Sequence, residues 1–291
     1  MVALSRKKEK PVNTNSTNGS TNGHVQSQAP SVLSLFASAH DEGDLSMASF
    51  QTLSVADLGA QIQAAMGVPA LDVPSTRAVL LTLLLDDSGS IAFRGNEQAV
   101  REGHNEIVKA LGASKQSDDI LAQCSYLNKG VLYPYQFIAQ VPTLDARNFK
   151  ACGATPLYDR SIVTLGSVLA KSREFTSSGV PVNTVTLIVT DGHDEGSLHR
   201  ARDVYPIVQD MLAQESHIVA GMGINDGDTD FYEVFRSMGI PDNWILTPQS
   251  DPHDIRKAFQ LFSRSAVSAS HGQGTFSQTA ASGFSVGGVV V

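Results

Sequence analysis

The chain has 291 residues, of which 42% are hydrophobic, and a formal net charge of -8 at pH 7. This length predicts one core domain with extensions, because domains usually have about 100–200 residues. The acidic balance argues against a general nucleic-acid binder, since phosphate binding needs a basic face. The two cysteines, Cys124 and Cys152, offer no disulfide framework, so a reducing compartment is expected.

The first part of the chain is predicted to lie outside the main domain. Residues 1–30 include NTNSTNGSTNGHVQSQ, which lacks the apolar side chains whose burial offsets the entropy of ordering, so we predict a disordered tail. Residues 31–76 are predicted to form an N-terminal extension with one short helix, which Ser54 caps and in which Leu58 and Ile62 recur at helical spacing. There is no apolar segment of the kind found in signal peptides or membrane spans, so we expect a cytoplasmic protein.

Strand and helix patterns alternate over residues 77–265, which we predict to be the main domain. Three apolar runs are typical of buried strands: AVLLTLLLD, NTVTLIVTD and HIVAGMGI. The run NWILT is predicted to be a last strand. The runs DILAQCSYLN and VLYPYQFIAQV are separated by KG and predict a hairpin, whose second strand Pro134 restricts to a sheet edge. The pattern predicts an α/β fold with a doubly wound, mostly parallel sheet and one antiparallel edge strand.

Several helix starts are marked by capping residues. Thr155 is a candidate N-cap because Pro156 follows it at the first helical position. Asp228 or Thr229 is predicted to begin another helix, and Asp251 to begin the last helix of the domain.

The segment after the main domain is rich in glycine and serine. We predict a flexible C-terminal tail over residues 266–291. Its two isolated aromatic residues, Phe276 and Phe284, leave docking onto the domain open.

Oxygen-bearing side chains follow the ends of the predicted strands. Asp86, Ser88 and Ser90 come after the first strand, Thr155 lies in a later loop, and Asp191 ends another strand. In doubly wound sheets, ligands bind outside the carboxyl ends of the strands, where such loops gather. Two carboxylates and three hydroxyls form a hard, oxygen-only set that suits Mg²⁺ or Mn²⁺, so the sequence predicts a metal site.

These residues resemble the von Willebrand factor A (vWA) domain and its metal-ion-dependent adhesion site (MIDAS). The MIDAS pattern is D-x-S-x-S, a distant threonine and a distant aspartate, and DDSGS, GATPLYD and IVTDG fill all five positions. The resemblance implies that Asp86, Ser88, Ser90 and Thr155 surround a divalent cation directly or through water. It also implies that Asp191 acts through water and that an acidic side chain of a partner protein completes the site.

The resemblance further implies a Rossmann-like fold and a type of partner. Intracellular vWA proteins of bacterial type often work beside AAA+ ATPases of the MoxR type or within multi-protein systems. We therefore expect a protein partner that presents Asp or Glu. This partner could belong to a multi-protein system in which the chain acts as an adaptor beside an AAA+ ATPase. Neither a nucleic acid nor a membrane is expected as a partner.

Other structures remain open for some of these residues. The segment that starts at Asp86 also has the composition of a turn that bonds its own backbone, and the Thr155 hydroxyl can cap a helix instead of binding metal. The segment HDE after Asp191 is interpreted as an acidic rim, with a second metal as an alternative. Asp87 is predicted to point away from the cation and to interact with solvent or a neighbouring loop. His104 is predicted to be a packed histidine.

The loop NDGDTDF has the carboxylate spacing of a calcium loop. Phe231 stands where such a loop needs glycine, and Ser237 where it needs glutamate, so the sequence excludes this kind of site.

Two classes of function fit the metal site. The favoured hypothesis is a non-enzymatic, metal-dependent protein-binding module. The alternative is a Mg²⁺-dependent hydrolase or phosphotransferase, but a haloacid-dehalogenase-like phosphatase needs a second aspartate at position 88, where this chain has serine. Phosphate-binding glycine loops are also missing from the sequence, and an extracellular adhesin is disfavoured by the lack of a signal peptide.

Overall fold

The structure is a computed structural model that describes residues 30–271 and 273–284. The tail predicted to be disordered lies outside the described residues, except for Pro30. Within the described ranges, no helix combines the length and the hydrophobicity that crossing a bilayer requires.

A six-stranded sheet forms the centre of the molecule, in the order β3-β2-β1-β4-β5-β6. Its strands are β1 (Ala78–Leu85), β2 (Ile120–Tyr126), β3 (Gly130–Phe137), β4 (Val182–Thr190), β5 (His217–Gly223) and β6 (Ile245–Leu246). Neighbouring strands are parallel except β2 and β3, which pair antiparallel at one edge. The predicted doubly wound sheet and its antiparallel edge strand are thereby confirmed.

Ten helices surround the sheet in the described part of the chain. They are α1 (Val32–Asp41), α2 (Met47–Leu53), α3 (Ala56–Ala65), α4 (Gly89–Phe93), α5 (Glu97–Gly112), α6 (Leu157–Ser177), α7 (Ala201–Ala213), α8 (Phe231–Ser237), α9 (Pro252–Ser270) and α10 (Gln273–Ser282). All eight residues of β1 are buried. Since successive side chains of a strand point to opposite faces, both faces of the sheet are covered. Helix α5 packs against α9, and α6 packs against α7.

The N-terminal extension contains three helices instead of the predicted one. The hydroxyls of Ser31 and Ser46 cap α1 and α2. Ser54 was predicted as a cap, but its backbone N–H ends α2 by donating to the Phe50 carbonyl, and Val55 occupies the N-cap position of α3. The three helices bury apolar residues in the same core as the sheet, so the extension is packed onto the main domain.

The C-terminal segment also differs from its prediction. Helix α9 continues to Ser270, and α10 follows in the segment predicted to be flexible. The cause is aromatic packing: Phe276 and Phe284 are buried, and the ring of Phe284 lies 4.8 Å from that of Trp244 in an edge-to-face arrangement. The sequence left docking of these two aromatic residues open. In the structure, both residues are docked onto the domain.

Two other predicted helix starts have different outcomes. Asp251 caps α9 by accepting hydrogen bonds from two backbone N–H groups, as predicted. Helix α8 begins later than predicted, because Asp230 is its N-cap. Asp226 instead accepts hydrogen bonds from the backbone N–H groups of Asp228 and Thr229, which keeps these two residues in a turn.

Candidate metal centre

The five predicted metal ligands lie at or beside the carboxyl ends of β1 and β4, in loops except for Ser90, which lies in the first turn of α4. These strands are neighbours in the sheet, and Leu85 pairs with Val189 at their ends. The strand order reverses between β1 and β4, because the chain proceeds from β1 to β2 on one side and from β4 to β5 on the other. Ligands of open α/β sheets bind at such a switch point. Asp86 and Asp191 each come directly after one of these two strands.

Three of the predicted ligands are joined by a chain of short oxygen–oxygen distances. The hydroxyl oxygens of Ser88 and Ser90 are 2.9 Å apart, and the Ser90 hydroxyl donates to Oδ1 of Asp191 over 2.5 Å. Adjacent oxygens around an octahedral Mg²⁺ are about 3 Å apart, as bond lengths of 2.0–2.1 Å require. The spacing of these side-chain oxygens is therefore close to that of neighbouring ligands of one small cation.

Asp86 organises the backbone of the site. Its Oδ1 accepts a hydrogen bond from the Ser88 N–H at 2.7 Å, and its Oδ2 accepts from the Thr190 hydroxyl at 2.8 Å and the Asp191 N–H at 3.3 Å. Burial raises the pKa of the Asp86 carboxyl, and these hydrogen bonds oppose that effect. Thr190 was not singled out from the sequence, although its position directly before Asp191 at a strand end was a usable signal.

Asp191 has one carboxylate oxygen without a partner. The residue is 1% exposed, and its buried Oδ2 has no hydrogen bond to any residue that the structure describes. Burial raises the pKa of Asp191 to about 6, with a further contribution from the nearby charge of Asp86, while Arg94 lowers it. An unpartnered carboxylate oxygen in this position fits a site in which a cation supplies the missing interaction.

Thr155 lies in the third loop, where it pairs with the loop that follows Asp191. Its backbone forms an antiparallel bridge with Glu195, and the residue is 5% exposed. The alternative role as a helix cap is wrong, because α6 begins at Leu157 and receives no side-chain cap from the preceding residues. Asp194 instead accepts a hydrogen bond from the Tyr158 N–H in the first turn of that helix. No hydrogen bond of the Thr155 hydroxyl occurs within the described ranges, so its oxygen is not already engaged by another residue there.

Backbone hydrogen bonds join the third loop to the first. The Gly89 N–H donates to the Gly153 carbonyl over 3.0 Å, and the Cys152 N–H donates to the Asp87 carbonyl over 2.6 Å. Gly153 has a positive φ of 103° and packs tightly against the Asn128 side chain, so a larger residue is excluded there. These contacts bring the loop of Thr155 to the loop of the serines, while no hydrogen bond links the Thr155 hydroxyl to the other four ligands in the described structure.

The remaining polar residues near the site have other partners. Asp87 points to a neighbouring loop, as predicted: its Oδ1 accepts from the Asn128 N–H at 2.7 Å, and Lys129 lies 3.6 Å from its Oδ2. His104 is packed in the core with its Nε2 2.8 Å from the Tyr133 hydroxyl, also as predicted. In the described segments no three His, Cys, Asp or Glu side chains gather where they can hold a metal ion. The candidate centre therefore depends on hydroxyl oxygens in addition to its two carboxylates.

Comparison with known proteins gives similarities to solved structures only. No family model and no curated protein matches the chain. Proximal thread matrix protein 1 from the mussel byssus shares 16% identity over 64% of this chain and 47% of its own, with a TM-score of 0.45. The pilus adhesin SpaC from Lactobacillus rhamnosus GG shares 13% identity over 66% of this chain and 30% of its own, with a TM-score of 0.47. The SpRpn10 VWA domain shares 9% identity over 64% of this chain and 94% of its own, with a TM-score of 0.43.

The chain thus spans less than half the length of the first two of these structures. In one of its structures the mussel protein has a MIDAS motif occupied by zinc.

Proposed function

We propose that this protein is a non-enzymatic, metal-dependent protein-binding module of the vWA type. In this proposal Asp86, Ser88, Ser90, Thr155 and Asp191 hold Mg²⁺ or Mn²⁺, and an acidic side chain of a partner protein completes the site. The observation that carries the proposal is the chain of oxygens from Ser88 through Ser90 to Asp191, which ends in a buried and unpartnered carboxylate oxygen.

The charge of the donor set supports a carboxylate as the external ligand. Two carboxylates offset the charge of one divalent cation without exceeding it, and the three hydroxyls add no negative charge. One further anionic oxygen can therefore fill the sixth position of an octahedron that five side-chain ligands leave open. Ser90 is partly exposed, whereas Asp86 and Asp191 are buried. We therefore infer that a partner approaches from the side of the serine hydroxyls.

The sharpest test is the substitution Thr155→Val, because it removes a hydroxyl that has no hydrogen bond within the described structure. We expect Mg²⁺ binding, measured by titration calorimetry, to weaken at least about tenfold, since one ligand oxygen of the cation is lost. Thr186→Val is the matched control: the Thr186 hydroxyl also has no hydrogen bond among the described residues, but it is buried inside β4. Equal affinity of the two variants would contradict the proposed ligand set.

Asp86→Ala is a poor choice for this test. It would leave the Ser88 and Asp191 N–H groups and the Thr190 hydroxyl without their acceptor, so lost binding would not be separable from a disturbed loop.

Partner binding is tested by recovery from extract of the native cells. Wild-type protein is expected to retain a partner in Mg²⁺ but not in EDTA, and Thr155→Val to lose that partner under both conditions. An adaptor role beside an AAA+ ATPase is proposed from the sequence resemblance, and it requires such an ATPase among the retained proteins. If the partner were recovered equally in Mg²⁺ and in EDTA, and equally by wild type and Thr155→Val, a metal-dependent module would be contradicted.

The alternative of a Mg²⁺-dependent hydrolase or phosphotransferase that uses Asp86 as its nucleophile is disfavoured by the geometry of this residue. A nucleophilic aspartate needs a carboxylate oxygen free to attack the substrate. Both carboxylate oxygens of Asp86 accept hydrogen bonds from its own loop or from the end of β4. Magnesium-dependent turnover of generic phosphate esters, lost in Thr155→Val, would reverse this preference.

A further inference from the structure

Two large apolar side chains are almost fully exposed on the loops that carry the candidate metal centre. Phe93 is 93% exposed and Leu198 is 92% exposed, more than any other large apolar residue of the described chain. Single exposed apolar residues are common on protein surfaces. These two are unusual because each lies a short distance along the chain from a residue of the site.

Phe93 lies three residues after Ser90 in α4. Three residues of helix correspond to a rise of about 5 Å, so the backbones of Ser90 and Phe93 lie within one helical turn of each other. The turn around Phe93 is anchored on both sides: Ile91 is fully buried, and the Asn96 side chain, 1% exposed, donates to the Ser250 hydroxyl over 2.9 Å. Phe93 is therefore held at the surface by neighbours that are fixed in the protein.

Leu198 lies on the loop after Asp191, three residues beyond Glu195. Glu195 pairs with Thr155, and three residues of chain span no more than about 11 Å. The Leu198 N–H donates to Oδ2 of Asp159 over 2.9 Å, which attaches this part of the loop to the first turn of α6. Leu198 is thus presented by an anchored loop, as Phe93 is.

We propose that Phe93 and Leu198 are the specificity-determining contacts of the metal centre and select an acidic residue flanked by apolar residues in the partner. This inference rests on the proposed function. Phe93 follows the serine residues along the chain, and Leu198 follows the residue that pairs with Thr155. Arg94, exposed beside Phe93, adds a positive charge that favours an acidic segment.

The physical basis is the removal of apolar surface from water. A lone carboxylate on a metal gives little discrimination between partners, since every exposed Asp or Glu offers the same group. Burial of an aromatic and an aliphatic side chain against apolar residues of the ligand adds both affinity and sequence preference.

The test uses a displayed library of random heptapeptides with Asp fixed at the centre, selected in Mg²⁺. A second library with Asn at the centre serves as the reference for the carboxylate. Three proteins are compared: wild type, the double variant Phe93→Ser and Leu198→Ser, and Leu71→Ser. Leu71 is a matched control because it is 76% exposed but lies next to Ala70, which packs with Ala78 and Val182 at the opposite ends of the strands.

We expect wild type and Leu71→Ser to enrich apolar residues on both sides of the central Asp, and the double variant to lose that enrichment. The best peptide from wild type is expected to bind the double variant about tenfold more weakly, with Mg²⁺ affinity unchanged. Absence of apolar enrichment with wild type, or its survival in the double variant, overturns the inference.

The two libraries separate this inference from the proposed function. A preference for Asp over Asn that requires Mg²⁺ supports the proposed function whether or not apolar residues are enriched. Equal selection of the Asp and Asn libraries would overturn the proposed function, and the inference with it.

Discussion

The two aspartates of the candidate centre differ in how their oxygens are used. Both oxygens of Asp86 accept hydrogen bonds, whereas Asp191 accepts one from Ser90 and leaves its buried Oδ2 unpartnered. The first aspartate therefore holds the loops in place, and the second supplies the unmet demand for positive charge. If the proposed metal centre is correct, Asp191 is the carboxylate on which metal binding depends most.

We expect the affinity for Mg²⁺ to fall as the pH drops below about 6. The pKa of Asp191 is raised to about 6 in the metal-free protein, mainly by burial. Protons and the cation compete for the same carboxylate, so the dissociation constant should rise up to about tenfold per pH unit below that value. Calorimetric titrations between about pH 7.5 and pH 5 measure this dependence. A dissociation constant that stays constant over the range would remove Asp191 from the site.

A second pH effect is expected from the buried His217. Its Nδ1 lies 2.7 Å from the Thr184 hydroxyl, and burial lowers its pKa from 6.5 to about 4. The unfolded chain binds the proton near pH 6.5 and the folded chain only near pH 4, so acidification through this range favours unfolding. Wild type should lose up to about 3 kcal/mol of stability relative to His217→Gln between these pH values.

Urea denaturation of both proteins at several pH values measures this difference. Above pH 6.5 the difference between their free energies of unfolding should not depend on the pH. Curves that remain parallel down to pH 4 would mean that His217 accepts a proton in the folded protein.

The positions of Asp86 and Asp191 at one edge of the sheet could be predicted because strand ends have a simple sequence signature. An apolar run that stops at an acid placed Asp86 and Asp191 at the same edge of a sheet, and the structure has them there. The sequence did not predict Thr190 as the partner of Asp86, because a threonine inside a strand usually signifies only β-propensity. The exposure of Phe93 and Leu198 could not be predicted from the sequence either, because exposure depends on which distant residues cover each segment.

At the scale of elements, the contact between α5 and α9 requires a glycine. A Cβ atom at Gly103 would collide with the ring of Phe259, a fully buried residue of α9. Close approach of the two helices therefore depends on the missing side chain. His104, its neighbour in α5, is also fully buried.

We predict that Gly103→Ala lowers the free energy of unfolding by about 1–3 kcal/mol, because the Phe259 ring must leave its position. Gly112→Ala is the matched control at the end of the same helix, where a Cβ would have no neighbour within 4 Å among the described atoms. The control should leave stability unchanged or raise it by up to about 1 kcal/mol. Urea denaturation decides between these outcomes, and equal stability of the two variants would refute close packing at Gly103.

The elements of the sheet were easier to predict than those at the two ends of the chain. Continuous apolar runs identify buried strands, and Pro134 correctly placed β3 at an edge. The helices of the extension and α10 are held by tertiary contacts, such as that of Phe284 with Trp244. Local composition rich in glycine and serine predicts flexibility and carries no information on such distant contacts.

At the scale of the whole molecule, the N-terminal extension and the sheet share one hydrophobic core. Leu53 and Ile62 are fully buried, and both lie against Gly166 of α6. At Gly166 the absence of a side chain lets the extension approach the helix closely. A shared core of this kind implies that the extension and the sheet unfold in one cooperative transition.

We therefore predict that Leu53→Ala destabilises the entire fold by about 2–4 kcal/mol. Trp244 is the single tryptophan of the chain and lies directly before β6, so its fluorescence reports on the sheet. In urea, the fluorescence transition and the loss of helical circular dichroism should shift together to lower denaturant. Leu33→Ala, at a residue of α1 that is 44% exposed, is the matched control and should shift neither by much. If Leu53→Ala changed the dichroism but left the Trp244 transition in place, the extension would be a separate folding unit.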